Sequence, residues 1–282
     1  MENKYIIIGV IFLLVTAACN NSVISSPQVL NTSTPNSPIK ERRVEIERIS
    51  YYVDSFKMDG FVAIDKSTTK RRPAVLIIHE WWGLNNYVKN RVKQLAELGY
   101  VAFAIDLYGD GKVAVTPTDA KALAIPLYAR PLIVKARFDA ALTKIKTYPQ
   151  VDTTNIAAIG YCFGGAMALN MARLGASLKG VVSFHGNLIG VPLNKSLLKA
   201  AILICHGEAD NYVNGEVTTF KNEMNNAHVP YTFISYPNAT HAFTNPSSTA
   251  VGKKFNMNVA YNGAADTASF NDMKKFFDKI FK

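Results

Sequence analysis

Cysteine is scarce in this chain of 282 residues, and its cysteines lie far apart. The three are Cys19, Cys162 and Cys205, and no two of them form a Cys-x-x-Cys pair. The spacing gives no signal for a cysteine-bound metal or a dithiol redox centre, so we expect neither a metal nor another cofactor. Cys205 lies in an apolar segment and is interpreted as a small core residue.

The chain also lacks a concentrated run of positive charge, although its formal net charge is +10. The basic residues are scattered, and no zinc-finger or helix-turn-helix spacing accompanies them. This distribution favours a solvated basic surface, and we expect no nucleic-acid partner. Attraction to anionic envelope surfaces or to anionic substrates stays open as an alternative.

The apolar run at the N-terminus, residues 5–15, is too short to cross a bilayer, which takes about 20 residues. Small residues follow it, and together they predict a signal peptide over residues 1–18. The segment Ala17-Ala18-Cys19 resembles a bacterial lipoprotein signal, in which the cysteine is acylated and becomes the new N-terminus. Ordinary cleavage beside Ala17 or Ala18 is the competing interpretation. We favour a lipoprotein of the bacterial cell envelope, anchored to the membrane through Cys19 alone.

The chain changes character after this region. Residues 19–42 are rich in Asn, Ser, Thr and Pro and lack apolar periodicity, which predicts a flexible tether. Residues 43–282 carry the strand and helix patterns, and a hydrophobic content of 49% is enough to bury a large core. We therefore expect one catalytic domain over residues 43–282, and a monomer.

Apolar strand patterns alternate with helical patterns along this domain. Residues 44–53 and 60–64 predict an antiparallel hairpin at the sheet edge, whereas later apolar runs are typical of strands buried on both faces. Between them, residues 117–124 and 132–146 predict helices separated by prolines. The alternation predicts the α/β class, with a mostly parallel central sheet and helices on both faces. In such sheets the chemistry lies beyond the carboxyl ends of the strands.

One stretch, Gly160-Tyr161-Cys162-Phe163-Gly164, joins a predicted buried strand to a predicted helix. It has the form Gly-x-Cys-x-Gly, the nucleophile-elbow pattern of α/β-hydrolases with cysteine in place of serine. Glycines permit the sharp turn, and a helix N-terminus directly after the sulfur favours a thiolate. A buried structural cysteine in a glycine-rich turn is the alternative that these residues alone leave open.

Two residues downstream of Cys162 complete the order nucleophile, acid, histidine. Asp210 and His241 each follow a predicted strand, so both are expected at the same sheet edge as the cysteine. His241 would take the thiol proton, and Asp210 would fix the tautomer of His241. Asp210 alone fits a helix cap and His241 alone fits a solvated loop, but their joint occurrence with Cys162 favours a triad.

With these pieces in place, the chain resembles the dienelactone hydrolase family of α/β-hydrolases. The matching segments are His79-Glu80-Trp81-Trp82-Gly83-Leu84, Asp106-Leu107-Tyr108, residues 160–165, His206-Gly207-Glu208-Ala209-Asp210 and His241-Ala242-Phe243. The resemblance implies a further role for Glu80, whose carboxylate contacts the thiol in the family and helps to deprotonate it. A loop carboxylate paired with a nearby arginine is the alternative for Glu80.

The resemblance also directs attention to the groups that surround the nucleophile. We expect the oxyanion hole to consist of the backbone N–H groups of Phe163 and Trp81. We expect Tyr108, Tyr161 and Arg130 to bind substrate, with Arg137 as an alternative to Arg130. The histidines His79 and His206 are interpreted as structural, whereas His185 ends a strand, where it could line the pocket.

One departure from the family concerns the substrate. Dienelactone-cleaving members place an arginine shortly after the histidine, and here Asn245 stands at about that position. Loss of a bidentate guanidinium argues against a small anionic lactone as substrate. The sequence thus predicts a cofactor-independent hydrolase of a small ester or lactone. A catalytically idle hydrolase fold that binds a small envelope ligand is the main alternative, and a thiol redox protein is disfavoured because no resolving cysteine is present.

Overall fold

The computed structural model describes residues 42–282, so the predicted signal peptide, Cys19 and nearly all of the predicted tether lie outside the described residues. The strands are β1 (Val44–Val53), β2 (Phe56–Asp65), β3 (Arg72–Ile78), β4 (Val101–Ile105), β5 (Val151–Tyr161), β6 (Gly180–Phe184), β7 (Ala201–Gly207) and β8 (Thr232–Tyr236). The helices are α1 (Asn86–Glu97), α2 (Pro117–Tyr128), α3 (Pro131–Lys146), α4 (Phe163–Arg173), α5 (Val217–Asn226), α6 (Ser248–Phe255) and α7 (Gly263–Ile280).

All eight strands belong to one sheet in the order β1-β2-β4-β3-β5-β6-β7-β8. The hairpin β1–β2 is antiparallel and β2 pairs antiparallel with β4, while the six strands from β3 to β8 run parallel. Helices cover both faces of this sheet. The predicted α/β class and the antiparallel edge hairpin are therefore confirmed.

The strand sequences follow from where the strands lie. Every residue of β4 and β6 is buried, which explains why these strands are apolar without alternation. Helices α1 and α7 cover one face of the sheet, and α3, α4 and α5 pack against the other. Burial of apolar side chains in two layers, one on each side of the sheet, thus offsets the conformational entropy that the chain loses on folding.

Two helices differ from the sequence prediction. Helix α2 continues through Pro126 to Tyr128 instead of ending near residue 124; the proline removes one helical hydrogen bond in the last turn but does not end the helix. Helix α6 was not predicted at all. It has only eight residues and contains Gly252, so its sequence lacks a clear helical period.

The two edges of the sheet have different roles. Because six strands are parallel, their carboxyl ends share one edge, and the turns after β3, β5, β7 and β8 meet there. Their amino ends share the opposite edge, where Arg42 donates a hydrogen bond to the carbonyl of Glu97 at the end of α1. The described chain therefore begins at the edge opposite the candidate site. Within residues 42–282, no helix combines the length and apolar character needed to cross a membrane.

Candidate active site

Cys162 stands alone between the end of β5 and the start of α4. Its backbone has φ 53° and ψ −119°, a conformation that residues with a side chain rarely adopt. A Cβ atom on Gly160 would lie 1.9 Å from the carbonyl oxygen of Gly164, and one on Gly164 would lie 2.2 Å from that of Ile78. The turn therefore requires glycine at both positions, and it holds the cysteine at the end of the strand.

The structure brings together the three residues that the sequence predicted as nucleophile, base and acid. The Cys162 Sγ atom lies 3.0 Å from Nε2 of His241. On the other side of the ring, Nδ1 of His241 lies 2.8 Å from Oδ2 of Asp210, whose side chain is fully buried. Asp210 also accepts a hydrogen bond of 3.0 Å from the N–H of Tyr212. A continuous line of contacts thus runs from the sulfur to a buried carboxylate.

The electrostatics of this line favour a proton on the imidazole. Burial opposes a positive charge on His241, but negative charge on Cys162 and the hydrogen bond to Asp210 favour it. The net effect raises the pKa of His241 well above its usual value. The ring is therefore suited to hold the proton of a thiol beside it.

A cavity of about 550 Å³ opens beside the sulfur and the imidazole. Its walls are mainly apolar and come from the turn after β3, from α2 and from α6. The wall residues include Trp81, Trp82, Ala124, Ile125, Val251, Phe255, Met257 and Val259. Lys121 on α2 is the one basic side chain other than histidine among the described lining residues, and it is exposed. The arrangement suits a mainly apolar ligand whose reacting atom lies at Cys162.

The two predicted oxyanion-hole residues, Trp81 and Phe163, both line this cavity. Within residues 42–282 neither backbone N–H donates a hydrogen bond to another group of the chain. The turn that carries Trp81 is held from behind, because the hydroxyl of Tyr108 donates to the Trp81 carbonyl at 2.9 Å. Two fixed donors beside a nucleophile are what stabilisation of an oxyanion requires.

Glu80 also lines the cavity, yet only 1% of its surface is exposed. Burial raises the pKa of Glu80 to about 7, against the opposing effect of a 2.7 Å hydrogen bond from Nδ2 of Asn245. The carboxyl group contacts this amide and makes no hydrogen bond to the Cys162 sulfur, which contacts His241. The thiol contact that the family resemblance implied for Glu80 is therefore absent from this arrangement, and within residues 42–282 no arginine pairs with Glu80 either.

The expectation that Tyr161 and Tyr108 bind substrate is not met. Tyr161 is buried on the opposite face of the sheet, where its ring packs against Tyr87 and Phe184. Successive strand residues point to opposite faces, so a side chain directly before the turn faces away from the cavity. Tyr108 is buried as well, and it contacts the site from behind through its hydrogen bond to the Trp81 carbonyl and the packing of its ring against Phe163.

The two candidate arginines also lie outside the cavity lining. Arg130 is exposed at the residue before α3 and is not among the residues that line the cavity. Arg137 donates a hydrogen bond to the carbonyl of Leu107 and lies over the ring of Phe56. The sequence could not show how far either arginine lies from Cys162, because the packing of the helices determines this distance and chain order does not.

Each of the three strand-end histidines forms hydrogen bonds with neighbouring groups of the fold. His79 and His206 behave as interpreted: Nδ1 of His79 lies 2.6 Å from the Glu80 carbonyl, and Nε2 of His206 lies 2.8 Å from Oδ1 of Asn214. His185 does not line the cavity. Its Nδ1 accepts a 3.1 Å hydrogen bond from the N–H of Cys162, and its Nε2 lies 2.7 Å from the hydroxyl of Thr244. His185 thus joins the elbow to the loop that carries His241.

Sequence reasoning missed the wall formed by α6 and the role of Asn245 as partner of Glu80. A cluster of short polar residues, Ser247-Ser248-Thr249, spans the N-terminus of the helix and is the one available signal for it. Across the described part of the chain, no group of three or more His, Cys, Asp or Glu side chains is arranged to hold a metal ion.

A mostly parallel sheet with a strained turn at its carboxyl edge, facing a histidine and an acid on later strand ends, defines the chain as an α/β-hydrolase. Residues 58–281 match the model of the dienelactone hydrolase family. The chain belongs to the dienelactone hydrolase family, and it is a hydrolase of that kind.

Individual relatives agree with this assignment. The chain is 29% identical over 209 residues to a protein of Aquifex aeolicus named putative carboxymethylenebutenolidase, with coverage of 71% of this chain and 87% of the relative. It is 28% identical over 206 residues to protein usf of Aquifex pyrophilus, with the same coverage. Among solved structures, a dienelactone hydrolase-like promiscuous phosphotriesterase from metagenomic libraries matches with a TM-score of 0.78 and 29% identity, covering 84% of this chain and 98% of that one.

Proposed function

We propose that this protein hydrolyses small, uncharged carboxylic esters or lactones through a covalent intermediate on Cys162. The observation that carries the proposal is the line of contacts from Cys162 through His241 to Asp210 at the floor of an apolar cavity. A nucleophile next to a base that a third group orients is the general arrangement for acyl transfer.

The first half of the reaction follows from these distances. His241 takes the proton of the Cys162 thiol across 3.0 Å, and the sulfur attacks the carbonyl carbon of the ester. The carbonyl oxygen gains negative charge, and the N–H groups of Trp81 and Phe163 bind it. When the C–O bond breaks, His241 gives its proton to the departing alkoxide, and a thioester on Cys162 remains.

The second half uses the same groups with water. His241 takes a proton from a water molecule, the resulting hydroxide attacks the thioester carbon, and the oxyanion forms again at the same two donors. The C–S bond then breaks, the acid leaves, and the proton on His241 returns to the sulfur. Asp210 keeps Nδ1 of the ring protonated throughout, so that Nε2 faces the reacting atoms.

The cavity lining supports an uncharged substrate. Its walls are mainly apolar, and no arginine is present among the described residues that line it. A carboxylate of the substrate would face the buried Glu80, and apart from the imidazole of His241 only the exposed Lys121 could compensate its charge. Burying an unpaired charge is costly, so an uncharged ester fits this cavity better than an anionic one.

Substitution of the nucleophile tests the proposal. Cys162→Ala is expected to lower kcat/KM for p-nitrophenyl butyrate at least about 10³-fold, because no other group can form the acyl-enzyme. Cys205→Ala is the matched control, since Cys205 is a buried thiol in β7 that touches the core and not the cavity. Equal activity of the two variants would refute the assignment.

A second pair of substrates tests the charge preference. We expect p-nitrophenyl butyrate to be cleaved with a higher kcat/KM than the p-nitrophenyl hemisuccinate ester, which has a similar length and adds a carboxylate. Tight binding of such esters without turnover, and without acylation of Cys162 in the mass spectrum, would instead support the idle binding protein.

We further propose that the chain is a lipoprotein of the bacterial cell envelope, acylated at Cys19. The apolar run, the small residues and the cysteine that follows them support this proposal. The mass of the N-terminal peptide from the purified mature protein tests it. A peptide that begins at Cys19 and carries acyl chains is expected, and an unmodified peptide that begins beside Ala17 or Ala18 would contradict it.

A further inference from the structure

We infer that the sheet edge opposite the candidate active site is a docking surface for an anionic phospholipid bilayer. We call this surface the basic edge and define it by exposed basic residues at the amino ends of the parallel strands and in the turns beside them. These residues are Arg42, Lys70, Lys146, Lys179, Lys195, Lys199 and Lys279. The inference does not depend on the proposed reaction.

The position of these residues follows from the topology. Lys70 precedes β3, Lys179 directly precedes β6, and Lys199 precedes β7. Since β3, β6 and β7 are parallel, these lysines lie at one edge of the sheet. Lys146 ends α3, the helix that leads back to the start of β5, and so lies at the same edge.

Four of the lysines surround one groove. A groove of about 620 Å³ is lined by Lys179, Lys195, Lys199 and Lys279. No carboxylate is present among the described residues that line it, and none of the four lysines forms an ion pair within residues 42–282. The floor between them is apolar and includes Leu198, Ala200, Ile202, Val229, Phe276 and Ile280. Cations around an apolar floor suit phosphate headgroups next to acyl chains.

The carboxylates of β1, of β2 and of the end of α1 do not pair with the lysines of the groove. Glu45, Glu47, Asp65 and Glu97 each pair with a basic residue outside the groove, so none of these four carboxylates pairs with a lysine of the groove. Asp152 at the start of β5 accepts hydrogen bonds from Thr154 and Asn155, which keep it ionised, so it offsets one positive charge at this edge.

The net charge of the chain belongs to the folded part. Residues 1–41 contain two basic residues, Lys4 and Lys40, and two acidic ones, Glu2 and Glu41, so their sum is zero. The whole excess of +10 is therefore carried by residues 42–282. Seven of these positive residues are exposed at the basic edge.

The point where the chain enters the described domain favours a bilayer as the occupant. Arg42 lies at the basic edge, and the segment before it contains the apolar run that predicts membrane attachment. Attachment to a bilayer through this segment would hold the domain near the membrane, where the basic edge can bind the headgroups. The candidate active site would then face away from the bilayer, open to substrates in solution.

Vesicle binding by the full chain tests the inference. The protein is mixed with vesicles of phosphatidylcholine alone, or with vesicles that contain 30% phosphatidylglycerol, and the bound fraction is measured by sedimentation at 20 and 500 mM NaCl. We expect binding to rise with phosphatidylglycerol and to fall at high salt. Binding to neutral vesicles measures whatever the apolar N-terminal segment contributes, and equal binding to both compositions would overturn the inference.

Two charge variants with the same loss of charge locate the surface. The test variant carries Lys179→Gln, Lys195→Gln, Lys199→Gln and Lys279→Gln, and the control carries Lys112→Gln, Lys135→Gln, Lys253→Gln and Lys254→Gln. A lysine near an anionic surface contributes roughly fivefold to binding, so the test variant should lose at least about tenfold of the lipid-dependent affinity. The control should lose much less.

Two outcomes of such binding measurements would contradict the inference. Equal losses in the two variants would show that net charge alone attracts the protein and would overturn the assignment to the basic edge. Tighter binding to duplex DNA than to anionic vesicles at 150 mM NaCl would overturn the choice of a bilayer. Esterase activity of the test variant, expected to equal that of the unmodified chain, verifies that it is folded.

Discussion

Glu80 is a carboxyl group in a mainly apolar cavity, and its only hydrogen-bond partner among the described residues is the neutral amide of Asn245. An ionised carboxylate loses its hydration there, and one amide hydrogen bond does not restore it. The group is therefore half protonated near pH 7, in line with its pKa of about 7. Glu80 can change its charge within the pH range in which a hydrolase works.

This shift makes a prediction about stability. The folded protein holds the Glu80 proton more tightly than the unfolded chain, so the penalty for ionising Glu80 is absent at acidic pH and grows as pH rises from about 4.5 to 7. Glu80→Gln keeps the shape and the contact with Asn245 but removes the charge. We expect it to raise the free energy of unfolding by about 2–3 kcal/mol at pH 8.5 and by less than about 1 kcal/mol at pH 4.5.

Urea unfolding at the two pH values measures this difference. Glu45→Gln is a suitable control, because Glu45 is an exposed carboxylate on β1 that pairs with Arg43 at the surface. Its effect should be small at both pH values. A stabilisation by Glu80→Gln that does not change with pH would show that folding does not shift the pKa of Glu80, and would contradict the prediction.

At the residue scale, the sequence predicted what depends on chain order. Cys162, Asp210 and His241 follow strands that run parallel, so their meeting at one edge could be expected before any coordinates were known. The prediction that Tyr161 binds substrate was wrong. The pleat of β5 decides which face of the sheet receives the Tyr161 side chain, and it places that side chain away from the cavity. The partnership of Glu80 with Asn245 joins residues 165 positions apart, and no local pattern encodes it.

At the scale of elements, the loop that carries His241 is fixed from behind by α1 and α7. Arg91 on α1 is buried, donates a 2.7 Å hydrogen bond to the carbonyl of Thr244 and pairs with Asp266 on α7. The hydroxyl of Thr244 contacts His185, which accepts the N–H of Cys162. The position of His241 relative to the sulfur thus depends on two helices that do not touch the substrate cavity.

We expect Arg91→Met to be strongly destabilising. The change leaves Asp266 partly buried without its cation and the Thr244 carbonyl without its donor, which together should cost about 3–5 kcal/mol of unfolding free energy. The double variant Arg91→Met, Asp266→Asn should recover part of this loss, because it removes the unpaired carboxylate as well.

Urea unfolding of the two single variants and the double variant measures the coupling. Activity gives a second readout: kcat should fall in Arg91→Met while KM changes little, because the loop moves and the cavity walls stay. Strictly additive losses in stability would contradict an interaction between Arg91 and Asp266.

Elements of the site differ in how visible they are in sequence. The strands and α1, α4 and α7 carry long apolar patterns, because each buries a face against the sheet. Helix α6 lies over the cavity instead, buries only Ser248 and Gly252, and needs no apolar stripe. A wall of the substrate cavity was for this reason the part of the fold that periodicity could not predict.

At the scale of the whole molecule, residues 42–282 contain every part that a stable α/β-hydrolase domain needs. The sheet is complete with eight strands, and each face has its own buried apolar layer. Residues 40–282 form one compact unit. The line of contacts at Cys162 and the walls of the cavity also lie entirely within this unit.

We therefore expect a chain that begins at residue 40 to fold and to hydrolyse esters as the longer chain does. It retains Arg42, whose contact with the Glu97 carbonyl joins the start of the domain to the end of α1. Its Tm should lie within about 2 °C of that of residues 20–282, since a loss of 1 kcal/mol would shift Tm by roughly 2–4 °C in a domain of this size. Differential scanning calorimetry and kcat/KM for p-nitrophenyl butyrate are the measurements. A chain that begins at residue 56 and lacks β1 is the contrasting variant: it loses the buried side chains Ile49 and Tyr51, leaves β2 as an unpaired sheet edge, and should lose both cooperative unfolding and activity. If the chain that begins at residue 40 lost as much stability and activity as the chain that begins at residue 56, residues before 40 would have to belong to the folded domain.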